Sequence, residues 1–189
     1  MKREIICAGF GGQGVLTAGM ILTEAGMHAG QEVLFYPSYG SEMRGGTANC
    51  TVKISDKRIA SPVSRQPDIL LTLNTPAVDK FENRLKSGGV LLVNSSIVPD
   101  ERRYREDIRV IKIPVTDIAT EARNLKAANL VMLGALAEST GLFDAEYLEK
   151  SILSFFEKKG KGAFNEKNSL CYRKGVEAVK SSNAREGIA

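Results

Sequence analysis

Apolar and polar positions run in two rhythms along this chain of 189 residues, and each change of rhythm marks an element. Glu4-Ile5-Ile6-Cys7-Ala8 is a short apolar run that breaks into glycines, which predicts a buried strand. From Val15 the period becomes helical. Val15, Leu16, Ala18, Ile21, Leu22 and Ala25 share one face of a helix predicted over 15–29, and Gly30 is a suitable stop. A second strand is predicted over 32–36 and ends at Pro37. Residues 47–55 alternate well enough for a third, and 59–61 are predicted to fold back on it as a hairpin. Apolar strands follow over 68–73, 90–93 and 109–113. Asn74-Thr75-Pro76 predicts a capped helix that ends at Ser87-Gly88-Gly89, and 101–107 is a charged, solvated connection. Beyond Pro114 the pattern is helical: 116–122, 125–139, 144–158 and 164–180, with a Lys-Gly-Lys-Gly hinge at 159–162. The 125–139 helix is apolar almost all round, so it is buried in the core or against a partner chain.

Strands alternating with helices, plus one antiparallel hairpin, predict an α/β fold. The expected form is a three-layer α/β/α, Rossmann-like arrangement with a mixed, mainly parallel sheet. The length suits one domain over 1–181, with 182–189 as a disordered tail. The net charge of +4 is mild, and no basic stripe interleaved with aromatics points to nucleic acid. Lys and Arg outnumber Glu over 150–185, which fits a solvated helix surface. The longest apolar run, 130–137, is too short to cross a membrane, and the first strand begins without a leader, so the cytoplasm is the expected compartment. Cys7, Cys50 and Cys171 are widely spaced with no Cys-x-x-Cys pair, which argues against a zinc site or a cluster held by this chain. His28 is the one histidine, near a helix end, where a structural role fits better than catalysis.

The candidate chemistry sits in two loops. Gly9, Gly11 and Gly14 have the spacing G-x-G-x-x-G, with Gly12 and Gln13 between them, at a strand-to-helix turn. Two readings fit: a turn that packs the helix tightly on the sheet, or a cradle for an anion at the helix N-terminus. A dinucleotide site also needs an acid at the end of the second strand, and Glu32 stands at its beginning. A P-loop fails because no Gly-Lys-Ser/Thr follows. The second loop spans 37–50 and carries Tyr39, Gly40, Glu42, Met43, Arg44, Gly45 and Gly46. Arg44 can offer its fork to a carboxylate or phosphate while Gly45 and Gly46 let backbone approach; the plainer alternative is an exposed Glu42–Arg44 contact. Asn74, Thr75, Asn94 and Ser95 follow strand ends and could share this rim, although each singly fits a cap or a turn.

Gly9-Phe10-Gly11-Gly12-Gln13-Gly14-Val15 together with Tyr39-Gly40-Ser41-Glu42-Met43-Arg44-Gly45-Gly46 resembles the gamma subunit of 2-oxoacid:ferredoxin oxidoreductases. The resemblance extends to about residue 180 and includes Asn49-Cys50-Thr51-Val52 and Asn94-Ser95-Ser96. The wording over 43–50 is most similar to the 2-oxoglutarate type. The resemblance implies a multi-subunit enzyme that decarboxylates a 2-oxoacid, forms an acyl-CoA and reduces ferredoxin. Thiamine diphosphate, magnesium and iron–sulfur clusters would lie in alpha, beta and ferredoxin-like partners. This chain would be a non-catalytic accessory subunit that contacts CoA at most. The cysteine spacing and the lack of a Gly-Asp-Gly stretch agree with that division of labour. The rival reading is a self-sufficient nucleotide- or flavin-binding oxidoreductase, supported by the glycine loop alone.

Overall fold

A computed structural model describes residues 2–39 and 47–185. Its strands are β1 (Lys2–Phe10), β2 (Glu32–Tyr39), β3 (Thr47–Ser55), β4 (Ile69–Thr72), β5 (Val90–Asn94) and β6 (Arg109–Ile113). The helices are α1 (Val15–His28), α2 (Thr75–Phe81), α3 (Val115–Glu121), α4 (Ala128–Thr140), α5 (Ala145–Lys158) and α6 (Asn165–Arg185). The strands form one sheet in the order β2-β3-β1-β4-β5-β6. The β1, β4, β5 and β6 neighbours pair in parallel, while β3 is antiparallel to both β1 and β2. The expected α/β layering with a mixed sheet is what the chain adopts.

The two sheet faces are covered unequally. Alternation along β1 sends Ile5 and Cys7 to one face and Ile6 and Ala8 to the other. Ile5 and Cys7 meet α1 and the α3–α6 block, which forms the larger core. Ile6 and Ala8 meet Ala77, Val78 and Phe81 of α2 in a smaller one. Within the thick layer, α4 is buried almost from end to end, which resolves its all-round apolarity as core. It packs against α6 through opposed glycines: Gly134 lies on the backbone of Tyr172, and Gly175 on the backbone of Val131. No side chain fits at either point.

Four expectations need correction. β2 does not stop at Pro37 but runs on to Tyr39, with Pro37 in register with Cys50. β2 is an edge strand, so a residue without an N–H is tolerated there. Residues 59–61 form no strand, because β3 already has a neighbour on each side; the antiparallel character comes from β3 itself. The helix begun at Thr75 ends at Phe81, and a short 3-10 turn (Glu82–Arg84) carries the chain on towards β5. Finally, α6 continues through Arg185, past the tail boundary drawn at 181. Cys171, Tyr172 and Val179 anchor it in the core, and extending a helix already nucleated is cheap.

The α4–α6 contact gives a direct test. Gly134→Ala drives a methyl group into the Tyr172 carbonyl, and overpacking of this kind costs about 1–3 kcal/mol. The urea midpoint of the variant should fall accordingly, and an unchanged midpoint would show that the two helices lie farther apart.

Candidate functional site

The parallel strands place their carboxyl ends on one rim, where β1 gives way to the glycine loop. The loop turns through Gly12 (φ 96°) and Gly14 (φ 76°), and Gly14 is the N-cap of α1. A Cβ on Gly14 would lie 2.6 Å from the Asn129 amide, whose Nδ2 donates to the Gly14 carbonyl at 3.0 Å. Sterics and backbone conformation therefore both require glycine here.

On its strand side the loop is filled by its own glutamine. The Gln13 side chain folds back over Gly9, where a Cβ would meet Oε1 at 2.7 Å. Gln13 Oε1 accepts from the Phe10 N–H (2.7 Å) and from Asn74 Nδ2 (3.0 Å), and Nε2 donates to the Leu73 carbonyl (3.2 Å). The same carbonyl accepts from Asn94 Nδ2 at 3.2 Å, and that Nδ2 also reaches Thr116 Oγ1 at 2.9 Å. Asn74 caps α2 by accepting from the Ala77 N–H. Asn74 and Asn94 are both buried, so this network is a seam closing the ends of β1, β4 and β5. They share the rim, as the sequence suggested, but as internal fasteners.

The dinucleotide reading fails on topology as well. In that fold the second strand lies parallel and adjacent to the first. Here β3 occupies that place, and β2 is displaced to the edge.

The opposite wall of the glycine loop is open. Gly12, Gly14 and Thr17 line a cavity of about 490 Å³ with Lys126, Lys161 and Asn168. These last three went unnoticed in the sequence, where Lys161 reads as part of a hinge. The signal available was the Lys-Gly-Lys-Gly run at 159–162, without anything to say that it faces the glycine loop.

The second candidate loop leaves the sheet beside the first. β2 and β3 pair up to Tyr39 opposite Ala48, and Thr47 is in register with Phe10. The hairpin arms thus end at the glycine-loop rim. Gly40, Glu42, Met43, Arg44, Gly45 and Gly46, with the Tyr39 side chain, lie outside the described residues.

The family model described as pyruvate ferredoxin/flavodoxin oxidoreductase matches residues 4–178. The chain belongs to this family. Within the family it is similar to the 2-oxoglutarate synthase subunit KorC of Methanocaldococcus jannaschii, at 41% identity over 95% of both chains. It is also 32% identical to the pyruvate/ketoisovalerate oxidoreductases common subunit gamma of Thermococcus litoralis, over 92% of this chain and 95% of the relative. Among solved structures, it superposes on the gamma subunit of a keto/oxoacid ferredoxin oxidoreductase from Geobacter sulfurreducens with a TM-score of 0.79 and 33% identity, covering 95% and 99% of the two chains. It also matches 2-oxoglutarate:ferredoxin oxidoreductase from Magnetococcus marinus, solved with 2-oxoglutarate, coenzyme A and succinyl-CoA bound, with a TM-score of 0.83 and 26% identity. That match covers 95% of this chain and 31% of the other, so the fold here corresponds to one portion of a longer polypeptide there. The chain is therefore a gamma-type subunit of the 2-oxoacid:ferredoxin oxidoreductases, a family with members named for several 2-oxoacids. No helix among the described residues is long and apolar enough to cross a membrane.

The seam is open to test. Gln13→Ala leaves the buried Asn74 amide and the Phe10 N–H without their acceptor, which should cost about 1–3 kcal/mol of stability in urea unfolding. A loss near zero would mean that the network does not hold the rim.

Proposed function

We propose that this chain is the gamma subunit of a 2-oxoglutarate:ferredoxin oxidoreductase, non-catalytic by itself, and that its β2–β3 hairpin tip completes a pocket on its partners. The observation that carries the reading is the placement of the hairpin arms. Thr47 pairs with Phe10 and Tyr39 pairs with Ala48 one strand further out, so the arms that flank the arginine-bearing loop end at the rim where the glycine loop begins. Arg44 would offer its planar fork to a carboxylate or phosphate, and Glu42 would hold or orient it, with Gly40, Gly45 and Gly46 permitting close backbone approach. Tyr39 and Met43 would lie in the interface.

The parent reaction combines a 2-oxoacid with CoA, releases carbon dioxide, and delivers an electron pair to ferredoxin. Thiamine diphosphate with magnesium, and the iron–sulfur clusters, are assigned to alpha, beta and ferredoxin-like partners in the cytoplasm. CoA is the one cofactor this chain would touch, at the open wall of the glycine loop. The substrate choice is supported by the identity to a 2-oxoglutarate relative, 41% over 95% of this chain, against 39% over 82% for a ketoisovalerate relative and 32% for a pyruvate/ketoisovalerate one.

The reading is tested in the reconstituted complex. Arg44→Ala should reduce acyl-CoA formation from 2-oxoglutarate by about tenfold or more, the usual effect of removing a charged hydrogen-bonding partner, while the isolated subunit keeps its melting temperature. Full activity with the variant would remove Arg44 from the site, and a preference for pyruvate over 2-oxoglutarate in the wild-type complex would overturn the substrate assignment.

A further inference from the structure

We propose that Cys7 and Cys50 are a redox pair, joined by a peroxide into a reversible cross-strand disulfide that acts as a switch at the base of the two rim loops. Cys7 on β1 and Cys50 on β3 are direct antiparallel partners. Side chains of such a pair project from one face of the sheet, and both thiols lie buried in the larger core. The backbone sets their spacing. Glu4 and Ala8 turn their carbonyls towards β4, where they accept from the Asp68 and Leu73 N–H groups. Alternation then turns the N–H and C=O of Cys7 towards β3, which makes Cys7 and Cys50 a hydrogen-bonded pair with Cα atoms about 5.5 Å apart. Disulfides are common at that Cα separation. Side chains of a hydrogen-bonded pair stand farther apart than those of the alternate kind, so a bridge has to draw the sulfurs together. Bridges made under such strain are the readily reduced, regulatory ones. The third cysteine, Cys171, lies on α6, outside the sheet.

The surroundings assign the two sulfurs different parts. A void of about 10 Å³, room for about one water, adjoins Cys7 and is lined by Val15, Ala18 and Asn129. Asn129 also holds the Gly14 carbonyl, so this void lies behind the glycine loop, and hydrogen peroxide is little larger than water. Hydrogen bonding with Cys50 and burial push the Cys7 thiol well above its ordinary range, so Cys7 reacts slowly and answers a sustained oxidant rather than a brief one. The Cys7 sulfur attacks one peroxide oxygen, the O–O bond breaks, and the departing oxygen takes the thiol proton as water, leaving a sulfenic acid. The Cys50 sulfur then attacks the Cys7 sulfur. The S–S bond forms, the S–O bond breaks, and a second water leaves with the Cys50 proton. Two thiols have lost two electrons and two protons, and the peroxide has become two waters. In the reduced chain Cys50 Sγ donates to the Val15 carbonyl at 3.6 Å, and it fills the space that a side chain on Gly19 would need. Bridging turns that sulfur away from α1. It also ties β1 just before Gly9 to β3 just after Thr47, so the footings of both loops become one covalent unit.

The test uses the whole reduced chain, treated with hydrogen peroxide, alkylated at its remaining thiols and read by intact mass and peptide mapping. Of the three thiols, only Cys171 should remain, and a linked Cys7–Cys50 peptide should appear, lighter by the two hydrogens lost. Dithiothreitol should restore all three. Cys171→Ala should form the same bridge, whereas Cys50→Ala should form none and should leave a Cys7 sulfenic acid that dimedone traps. The urea midpoint of the oxidised chain should rise and fall back on reduction, because the bridge closes a long loop of the unfolded chain. Three free thiols after prolonged treatment, a bridge through Cys171, a bridge that forms only in urea, or an oxidised chain whose midpoint fails to rise would overturn the proposal. None of these measurements depends on the 2-oxoacid, on CoA or on Arg44.

Discussion

The structure depends on a shared carbonyl. The Leu73 oxygen, at the end of β4, accepts from Gln13 on one side and Asn94 on the other, while the Leu73 N–H donates to Ala8. Three parallel strands are thereby tied at their carboxyl ends by the buried amides of Asn74 and Asn94 and the half-buried amide of Gln13. The seam explains the glycine motif. Gly9 is small so that Gln13 can lie over it, and Gly14 is small so that Asn129 can reach its carbonyl. What resembles a phosphate cradle in one dimension is, on the strand side, a socket for a glutamine. Only the helix side of the loop remains for a ligand.

This arrangement divides the molecule by task. The thick layer of α1 and α3–α6 provides most of the buried area and, through Gly134 and Gly175, its closest backbone contact. The thin layer holds the parallel strands with little more than α2. The rim between the layers carries the glycine loop, the seam and the two arms of the β2–β3 hairpin.

Much of the fold was legible from local pattern. The apolar face from Val15 to Ala25, the Asn74 cap and the Pro114 boundary each follow from chemistry within a few residues. What was not legible depended on distance. Gln13 meets Leu73 and Asn74 across some 60 positions, and Asn129 meets Gly14 across 115, so their roles had no local signature. Lys161 looked like a hinge residue because the wall it faces is built by the other end of the chain. Pro37 was read as a stop because its tolerance depends on β2 being an edge, which sheet order decides and local pattern does not. For the proposed loop itself, sequence remains the source: Glu42 and Arg44 fall within residues 40–46, outside the described part.

That edge has one more implication. The outer side of β2 presents main-chain donors and acceptors with no strand beside them among the described residues. Such a border is a template for another chain to stack upon, and Pro37 removes a donor from the middle of the row. The residue that seemed to end the strand therefore also interrupts the row on which another strand would pair.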